Sequence, residues 1–394
     1  MIGNESAGRR QSESSLVELQ TQLKPVLAGC VENLLATYAG PEGLFPYSSR
    51  LVHGTIVNDY RRPDSLRYTI NTLLGLGRAA KAGVSGVAQA DLDGMIQEFV
   101  ERHASSLASY ADLGLLLLLL ADNPNVPGET AVDSALASLK RSLSDQRADD
   151  FNMQDLAWII WGCAASVRNG VADAGELGRS TSKLLQDRFV DAATGLPRHS
   201  VKRYRRSLVS FGSLSYFLRA MHEAASTFDD EKAARLFEAG VQRTLSLQGP
   251  QGEWPWMINV PRGSVVDVYP VFSVHQDSMA MLFLLPALDS SRPQVEDAII
   301  RSLAWVFGRN ELGVAFYQYD PFFAFRSIER AEEAPRLRRY VRFLESSVTH
   351  RAGGFQSAHT RVNDECRSYH LGWILFAWSE RVAALSGDDS ARFG

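Results

Sequence analysis

Two kinds of helix alternate along this chain, and few folds accommodate both. One kind is amphipathic with a charged face, at about 89–104, 129–145, 174–188, 229–248 and 293–309. The other is apolar nearly all round: Ala111–Ala121, Leu156–Ala165 with Trp158 and Trp161, Leu208–Leu218 with Phe211, Tyr216 and Phe217, Met279–Leu288, and Leu371–Trp378. A helix with one apolar stripe lies on a surface, whereas one that is apolar on every side is covered on every side. Further helical runs are expected at 64–82, at about 328–349, and from Leu16, where Leu16, Leu19, Leu23, Val26, Leu27 and Cys30 recur at helical spacing. That makes twelve or thirteen helices and no convincing strand. The expected fold is all-α: an (α/α)6 toroid of about six helical hairpins, with the apolar helices as an inner ring. An α-solenoid of helix pairs is the alternative, but no fixed period supports it.

Residues 1–14 are polar and expected to be disordered. No linker divides 15–394, which is expected to form one domain. The formal net charge of -4 provides no global field for nucleic acid or an anionic membrane. The longest apolar run, Leu113–Ala121, is too short to span a bilayer. The N-terminus lacks the apolar core of a secretory signal, and the three cysteines are odd in number and far apart. These features lead to an expectation of a cytoplasmic protein with no nucleic-acid partner and no membrane insertion.

In a toroid every inner helix enters from the same side. The loops at about 40–63, 103–110, 146–155, 190–206, 249–273 and 350–367 should therefore gather at one mouth. Five of the eight histidines, His53, His199, His275, His359 and His370, lie in or just beyond them. Loops on a rigid scaffold are where binding groups concentrate. The substrate-binding candidates are Arg50, His53, Asn58, Asp59 and Tyr60 from the first loop, and His199, Arg203 and Arg205 from the fourth. Trp254, Trp256 and Gln276 come from the fifth, Tyr319 from an aromatic loop beyond it, and Asn363, Glu365, Tyr369 and His370 from the last.

The densest stretch is Gln248-Gly-Pro-Gln-Gly-Glu-Trp-Pro-Trp-Met257, followed by Tyr269–Ala280. Its aromatic faces, carboxylate and imidazole suit a small-molecule or oligosaccharide site. Trp and Tyr stack on sugar faces, and Arg pairs with uronate, sulfate or phosphate. Proton abstraction beside a sugar carboxylate needs a neutralising group (Arg203, Arg205, Asn58 or Asn363) and a proton carrier (His275, Tyr204 or Tyr269). Hydrolysis needs two carboxyls, for which Glu253, Asp277 and Glu365 are available. The catalytic expectation is His275, Glu253, Tyr204, Tyr269 and Asp277. No cofactor is expected, because P-loop, G-x-G-x-x-G, H-E-x-x-H and C-x-x-C motifs are absent.

The motif Gln248-x-x-x-Gly252-x-Trp254 resembles the repeat of terpenoid cyclases and protein prenyltransferases, which are α/α toroids. Gly252-Glu-Trp-Pro-Trp-Met257, with Ser273-x-x-Gln276 and Ala280, resembles the helical domain of glucuronyl C5-epimerases. Six-hairpin glycosidases and polysaccharide lyases share the same kind of ring. These resemblances imply an enzyme acting on an anionic sugar or glycan as lyase, epimerase or hydrolase. A terpenoid cyclase or prenyltransferase-like enzyme binding a prenyl diphosphate is the alternative, and a non-catalytic helical scaffold is a third reading. No Asp-x-Asp-Asp acid is present, and Asp229-Asp-Glu231 is read as a helix cap. Asp364-Glu-Cys366 resembles the prenyltransferase zinc pair; zinc would need a third ligand, for which His370 is the candidate here, although the family's histidine lies much further downstream. The competing reading is a cap aspartate and a half-buried thiol, and no metal is expected.

Overall fold

The computed structural model describes residues 15–39, 42–145, 150–202, 206–289, 292–331 and 359–392. Its helices are α1 Leu16–Thr37, α2 Ser65–Lys81, α3 Gln89–His103, α4 Tyr110–Asp122, α5 Glu129–Asp145 and α6 Met153–Arg168. They continue with α7 Asp173–Phe189, α8 Phe211–Phe228, α9 Glu231–Leu245, α10 Met281–Leu288, α11 Pro293–Val306 and α12 Ser368–Arg392. The even-numbered helices pack in sequence, α2 on α4, α4 on α6, α6 on α8 and α8 on α10. The ring closes where α12 meets α2 on one side and the turn leading into α10 on the other. Each odd-numbered helix lies outside its successor or predecessor, with α1 packed on α12 and α11. This is the (α/α)6 toroid.

Chemistry assigns each helix to its ring. In α4 every residue from Ala111 to Leu120 is buried, and in α6 every residue from Leu156 to Ser166. In α3 only Leu92, Ile96 and Phe99 are buried. Two inner contacts are built on glycine. A Cβ on Gly75 of α2 would run into the Gly372 carbonyl of α12, and one on Gly162 of α6 into the Gly114 carbonyl of α4. Ser15 forms a capping box with Glu18 on α1, and Asp230 caps α9 through the Ala233 N–H at 3.0 Å. The cap reading of the 229–231 cluster therefore holds.

The absence of strands does not hold. Ten short ones are present among the described residues: β1 Ser48–Val52, β2 Thr55–Asp59, β3 Leu208–Ser210, β4 Met257–Asn259, β5 Ser264–Asp267, β6 Val271–Phe272, β7 Tyr317–Tyr319, β8 Phe322–Ala324, β9 Ser327–Arg330 and β10 Thr360–Asn363. They form antiparallel hairpins β1–β2 and β7–β8 and three-stranded sheets β3–β4–β5 and β10–β9–β6. With two to five residues each, they are too short for an alternating pattern to be visible. The helix expected over 328–349 begins instead as β9, and residues 332–358 lie outside the described residues, as do 1–14. Among the described residues no helix is long and apolar enough to cross a membrane.

The strands tie the inner-helix entrances into a circuit. Ser49 of β1 exchanges backbone hydrogen bonds with Cys366, just before α12. β10, before α12, reaches β6, before α10, through β9. β4, between α9 and α10, pairs with β3 before α8. The His199 carbonyl before α8 accepts from the Met153 N–H of α6 at 3.0 Å. Phe151 before α6 packs on Tyr110 of α4 with centroids 5.0 Å apart. Arg67 of α2 donates to Ser109 at the start of α4 at 3.0 Å. All six entrances thus meet at one mouth.

Candidate active site

The first turns of the inner helices line this mouth, and polar groups interrupt otherwise apolar helices there. Arg67 and Tyr68 come from α2, Asp112 from α4, and Gln154 and Asp155 from α6. Ser213 comes from α8, His275 from the turn before α10, and Tyr369 from α12. Arg67 Nε donates to Asp112 Oδ1 at 2.6 Å, and its guanidinium lies 5.3 Å above the ring of Trp158. Burial pushes the carboxyls of both Asp112 and Asp155 above the ordinary aspartate value, and the negative charge of Asp155 adds to the effect on Asp112. Asp155 is held by the Asn152 N–H at 3.0 Å, and the charge of His199 reaches it.

Across the mouth, Arg326 and Arg367 share Glu365 at 2.6 and 2.9 Å, and together they hold its carboxyl low against the pull of burial. Arg367 covers the ring of Tyr47 at 4.0 Å; Tyr47 stacks on Tyr68 at 4.8 Å and Tyr68 meets Tyr369 at 4.4 Å. Arg326 lies over Phe272 at 5.5 Å, which meets His275 at 5.1 Å. Tyr47, Tyr68, Trp256, Phe272 and Tyr369 are half-buried around the mouth. Below them Trp158, Tyr216, Trp373 and Trp161 are buried and in successive contact, with centroids 4.7, 6.0 and 5.9 Å apart. They floor the mouth and fill the ring beneath it.

Several expected residues serve the architecture instead. Trp254 is fully buried, bonded through Nε1 to Ser302 at 2.6 Å and stacked on Phe211. Gln276 is also buried and holds the Trp254 N–H and the Phe272 carbonyl. Glu253 folds back on its own turn to accept the Gln251 N–H at 2.9 Å. Burial raises the Glu253 carboxyl. The Tyr269 hydroxyl donates to Glu311 at 2.9 Å. Asn58 accepts from Ser49, Tyr60 donates to the Thr37 carbonyl at 2.7 Å, and Asp59 takes Arg62 at 2.7 Å, all within the first loop's own scaffold. Asn363 bonds Glu329 on the neighbouring strand. Arg50, His53 and Tyr319 are exposed, His53 at a left-handed turn position with φ 50°. Arg203, Tyr204 and Arg205 lie outside the described residues.

Asp277 is fully buried in a π-helical turn, His275–Met279, that leads into α10. His370 Nε2 contacts its carboxylate at 2.8 Å, Tyr317 donates at 3.0 Å and Ser278 at 2.9 Å, while Trp378 donates to its carbonyl. The pair Asp277–His370 therefore seals the seam between α10 and α12 within the wall and is enclosed away from the mouth. The zinc triad does not converge: Asp364 is exposed, the Cys366 thiol is buried in the core, and His370 is taken by Asp277. Among the described residues no cluster of three or more His, Cys, Asp or Glu could hold a metal.

Of the sequence candidates, Trp256, His275, Glu365 and Tyr369 reach the mouth, with His199 at its edge. Arg67, Asp112, Asp155 and Arg326 were missed. The available signal was a charged residue in the first turn of a helix otherwise apolar all round, as in Tyr110-Ala-Asp112-Leu-Gly-Leu.

No protein-family model matches the chain, and no curated protein matches it. Solved structures share its fold at low identity. A possible member of the GH105 family from Salmonella enterica aligns with TM-score 0.61 at 10% identity, covering 98% of this chain and 100% of that one. An unsaturated glucuronyl hydrolase specific for heparin aligns with TM-score 0.58 at 12% identity, over 94% and 98%. A sugar epimerase from a ruminal bacterium aligns with TM-score 0.65 at 10% identity, over 92% and 99%. Likeness at this identity establishes the architecture alone: the chain shares the (α/α)6 toroid fold of these structures over nearly its whole length.

Proposed function

We propose that the chain is a carbohydrate-active enzyme that cleaves a glycosidic bond of an anionic sugar or glycan in the mouth basin, with Asp112 and Asp155 as its carboxyl pair. The observation that carries this reading is the position of these two groups. They stand in the mouth-facing first turns of adjacent inner helices, and burial raises both of them. Glycoside hydrolysis requires a proton donor and a carboxylate flanking one bond. The direct bond from Arg67 favours the ionised form of Asp112, which takes the base or nucleophile role. Asp155, whose carboxyl burial raises against the pull of the Asn152 N–H, takes the role of proton donor. Half-buried Trp256 and Tyr369 supply aromatic surface for a sugar ring, while Tyr47 and Tyr68 are stacked between Arg367 and Tyr369.

Hydrolysis fits better than proton abstraction. Burial lowers the His275 imidazole to about 3, too weak a base for a sugar C–H, and Tyr269 is committed to Glu311. The terpenoid alternative suits the mouth less well, because a carbocation chamber is apolar and this one carries Arg67, Asp112, Asp155, Arg326, Glu365 and Arg367. The names of the similar structures, which include hydrolases of unsaturated glucuronyl groups, support the sugar reading. Three free, buried cysteines fit the expected reducing compartment.

The test is reducing-end release from a panel of uronate-containing oligosaccharides by wild type, Asp112→Asn and Asp155→Asn. Each variant is expected to lose about 10²- to 10⁴-fold in turnover with an unchanged far-UV spectrum. Full turnover by both variants would sink the assignment.

A further inference from the structure

The end of the ring away from the mouth holds a second cleft. Arg67 stands at the mouth on α2, and Arg78 lies about 16 Å further along the same helix. There α2, α8, α10 and α12 enclose a cleft of about 270 Å³. Its floor is the underside of the aromatic stack that floors the mouth: Phe376, which meets both Trp161 and Trp373 edge-on. Leu282, Leu285 and Pro286 of α10 form an apolar wall. Arg78, Arg219 and Arg381 line the cleft from three different helices. Arg78 lies over Phe376 and Arg219 over Trp161, each at 4.9 Å. None of these arginines has a part in the hydrolysis proposed for the mouth.

Positive charge is in slight excess here, and its outer partners are loosely held. Arg78, Lys81, Arg168, Arg219 and Arg381 stand against Asp122, Glu223, Asp289 and Glu380. Two of these carboxylates are largely enclosed: Asp122 takes Arg78 at 2.9 Å, and Glu223 takes both Arg168 and Arg219. The other two stand at the rim. Glu380 takes Arg78 Nη1 at 2.6 Å with 58% of its side chain exposed, and Asp289 takes Arg381 Nη2 at 2.7 Å with 62% exposed. Exposed pairs of this kind contribute little, so either carboxylate can be exchanged for another anion. His222 adds no charge at pH 7, because burial first and Arg219 second lower its imidazole. The helix dipole favours cations in a last turn, which accounts for Arg78 and Lys81 of α2. It does not account for Arg219 and Arg381, which lie in the middle of α8 and α12.

We propose that this cleft is a second ligand site, for a small molecule carrying a tetrahedral oxyanion of the phosphate type, and that Glu380 and Asp289 are the carboxylates its oxygens displace. Guanidinium groups that line one small cleft from three helices suit a group with three or more oxygens better than a planar carboxylate. They keep their charge at every pH the folded chain meets. The volume lies below the usual range for drug-sized ligands, so the organic part is small. The wall of Leu282, Leu285 and Pro286 covers the apolar side of that part. This site stands whether or not the mouth is a sugar site.

The experiment measures thermal stabilisation and equilibrium binding of the full chain at constant ionic strength. The probes are inorganic phosphate and glycerol 3-phosphate, with glycerate and glycerol as the carboxylate and neutral controls. Wild type is compared with Arg381→Met, Glu380→Gln and Arg326→Met. The two phosphates are expected to raise the wild-type Tm above any rise given by the controls. Arg381→Met is expected to weaken phosphate binding by about 10-fold or more, the worth of a hydrogen bond to a charged group. Glu380→Gln is expected to tighten it by about two- to five-fold, because a competing carboxylate has been removed. A merely structural ion pair at Glu380 would give no such gain. Arg326→Met, which removes a cation of the mouth, should leave phosphate binding unchanged. Tighter binding of glycerol 3-phosphate than of inorganic phosphate would support a role for the apolar wall; equal binding would support free phosphate as the ligand. The site is overturned if neither phosphate raises the Tm, or if glycerate binds better than glycerol 3-phosphate. It is also overturned if Arg381→Met binds phosphate as wild type does, or if Arg326→Met is the variant that loses it.

Discussion

The imidazole of His275 lies between Phe211 and Phe272, with ring centroids 5.0 and 5.1 Å away and Nδ1 enclosed without a partner. Burial first, and the nearby His370 second, lower its pKa to about 3 from the usual 6.5. The unfolded chain therefore takes a proton near pH 6.5 that the folded chain refuses until about pH 3. His275 contributes its full stability above the unfolded value and loses it as the pH falls through that window, by about 1.4 kcal/mol per unit and at most about 5 kcal/mol in all. His275→Asn is thus expected to flatten the fall in unfolding free energy between pH 6.5 and pH 4, measured by denaturant titration. Parallel curves for wild type and variant would contradict this. The same residue illustrates what a sequence reading can and cannot reach. Histidines gathered in entrance loops pointed to that end of the ring, yet His370 is taken by Asp277 within the wall and His53 is exposed at a turn. Loop residues such as Asn58, Tyr60 and Asp59 direct their polar atoms into bonds within their own loop or to the end of α1, because polar groups that a packed loop encloses must find partners there. Asp112 and Asp155 were hidden for the opposite reason: an acid in a first helical turn has an ordinary explanation in the helix dipole, and only the ring shows that those turns converge.

At the scale of the element, two inner-helix contacts depend on glycine meeting backbone. Gly75 faces Gly372 between α2 and α12, and Gly114 faces Gly162 between α4 and α6. A methyl group at any of these positions meets a carbonyl or backbone atoms that cannot rotate away, so the helices must separate. Gly162→Ala and Gly372→Ala are each expected to cost about 1–3 kcal/mol, the usual range for overpacking. Gly94 of α3 provides the contrast, since nothing lies within 4 Å of an added Cβ. There Gly→Ala should stabilise by up to about 1 kcal/mol through helix propensity. Chemical denaturation of the three variants checks both signs at once; a stabilising Gly162→Ala would mean that the helices are not this close. The apolar and amphipathic helices were readable before any coordinates, because each carries its burial pattern over ten or more residues. The ten strands were not, since two to five residues carry too little pattern, and their pairing is decided by which entrances become neighbours once the ring closes.

At the scale of the molecule, closure distinguishes this protein from an open stack of hairpins. In a solenoid each repeat touches only its neighbours, and stability accumulates along the chain. Here α6 and α12, on opposite sides of the ring, meet through Trp161 and Trp373, stacked at 5.9 Å with an interplanar angle of 13° and both buried. Phe376 packs edge-on against both. This plug links the middle of the chain to its last helix and floors the mouth basin. Trp161→Ala removes the largest side chain from the centre of the plug, and loss of a buried tryptophan costs about 3–5 kcal/mol. Because the plug spans the ring, the loss should not stay local to α6. Hydrogen exchange should accelerate in α12 and at its seam with α2 as well as in α6, while the outer face of α9, remote from the plug, changes least. In a stack of independent hairpins the faster exchange would be confined to α6 and the α4 and α8 neighbours it touches directly. Exchange rates in Trp161→Ala, mapped segment by segment, therefore decide whether the chain behaves as one closed ring or as a row of hairpins that merely curve.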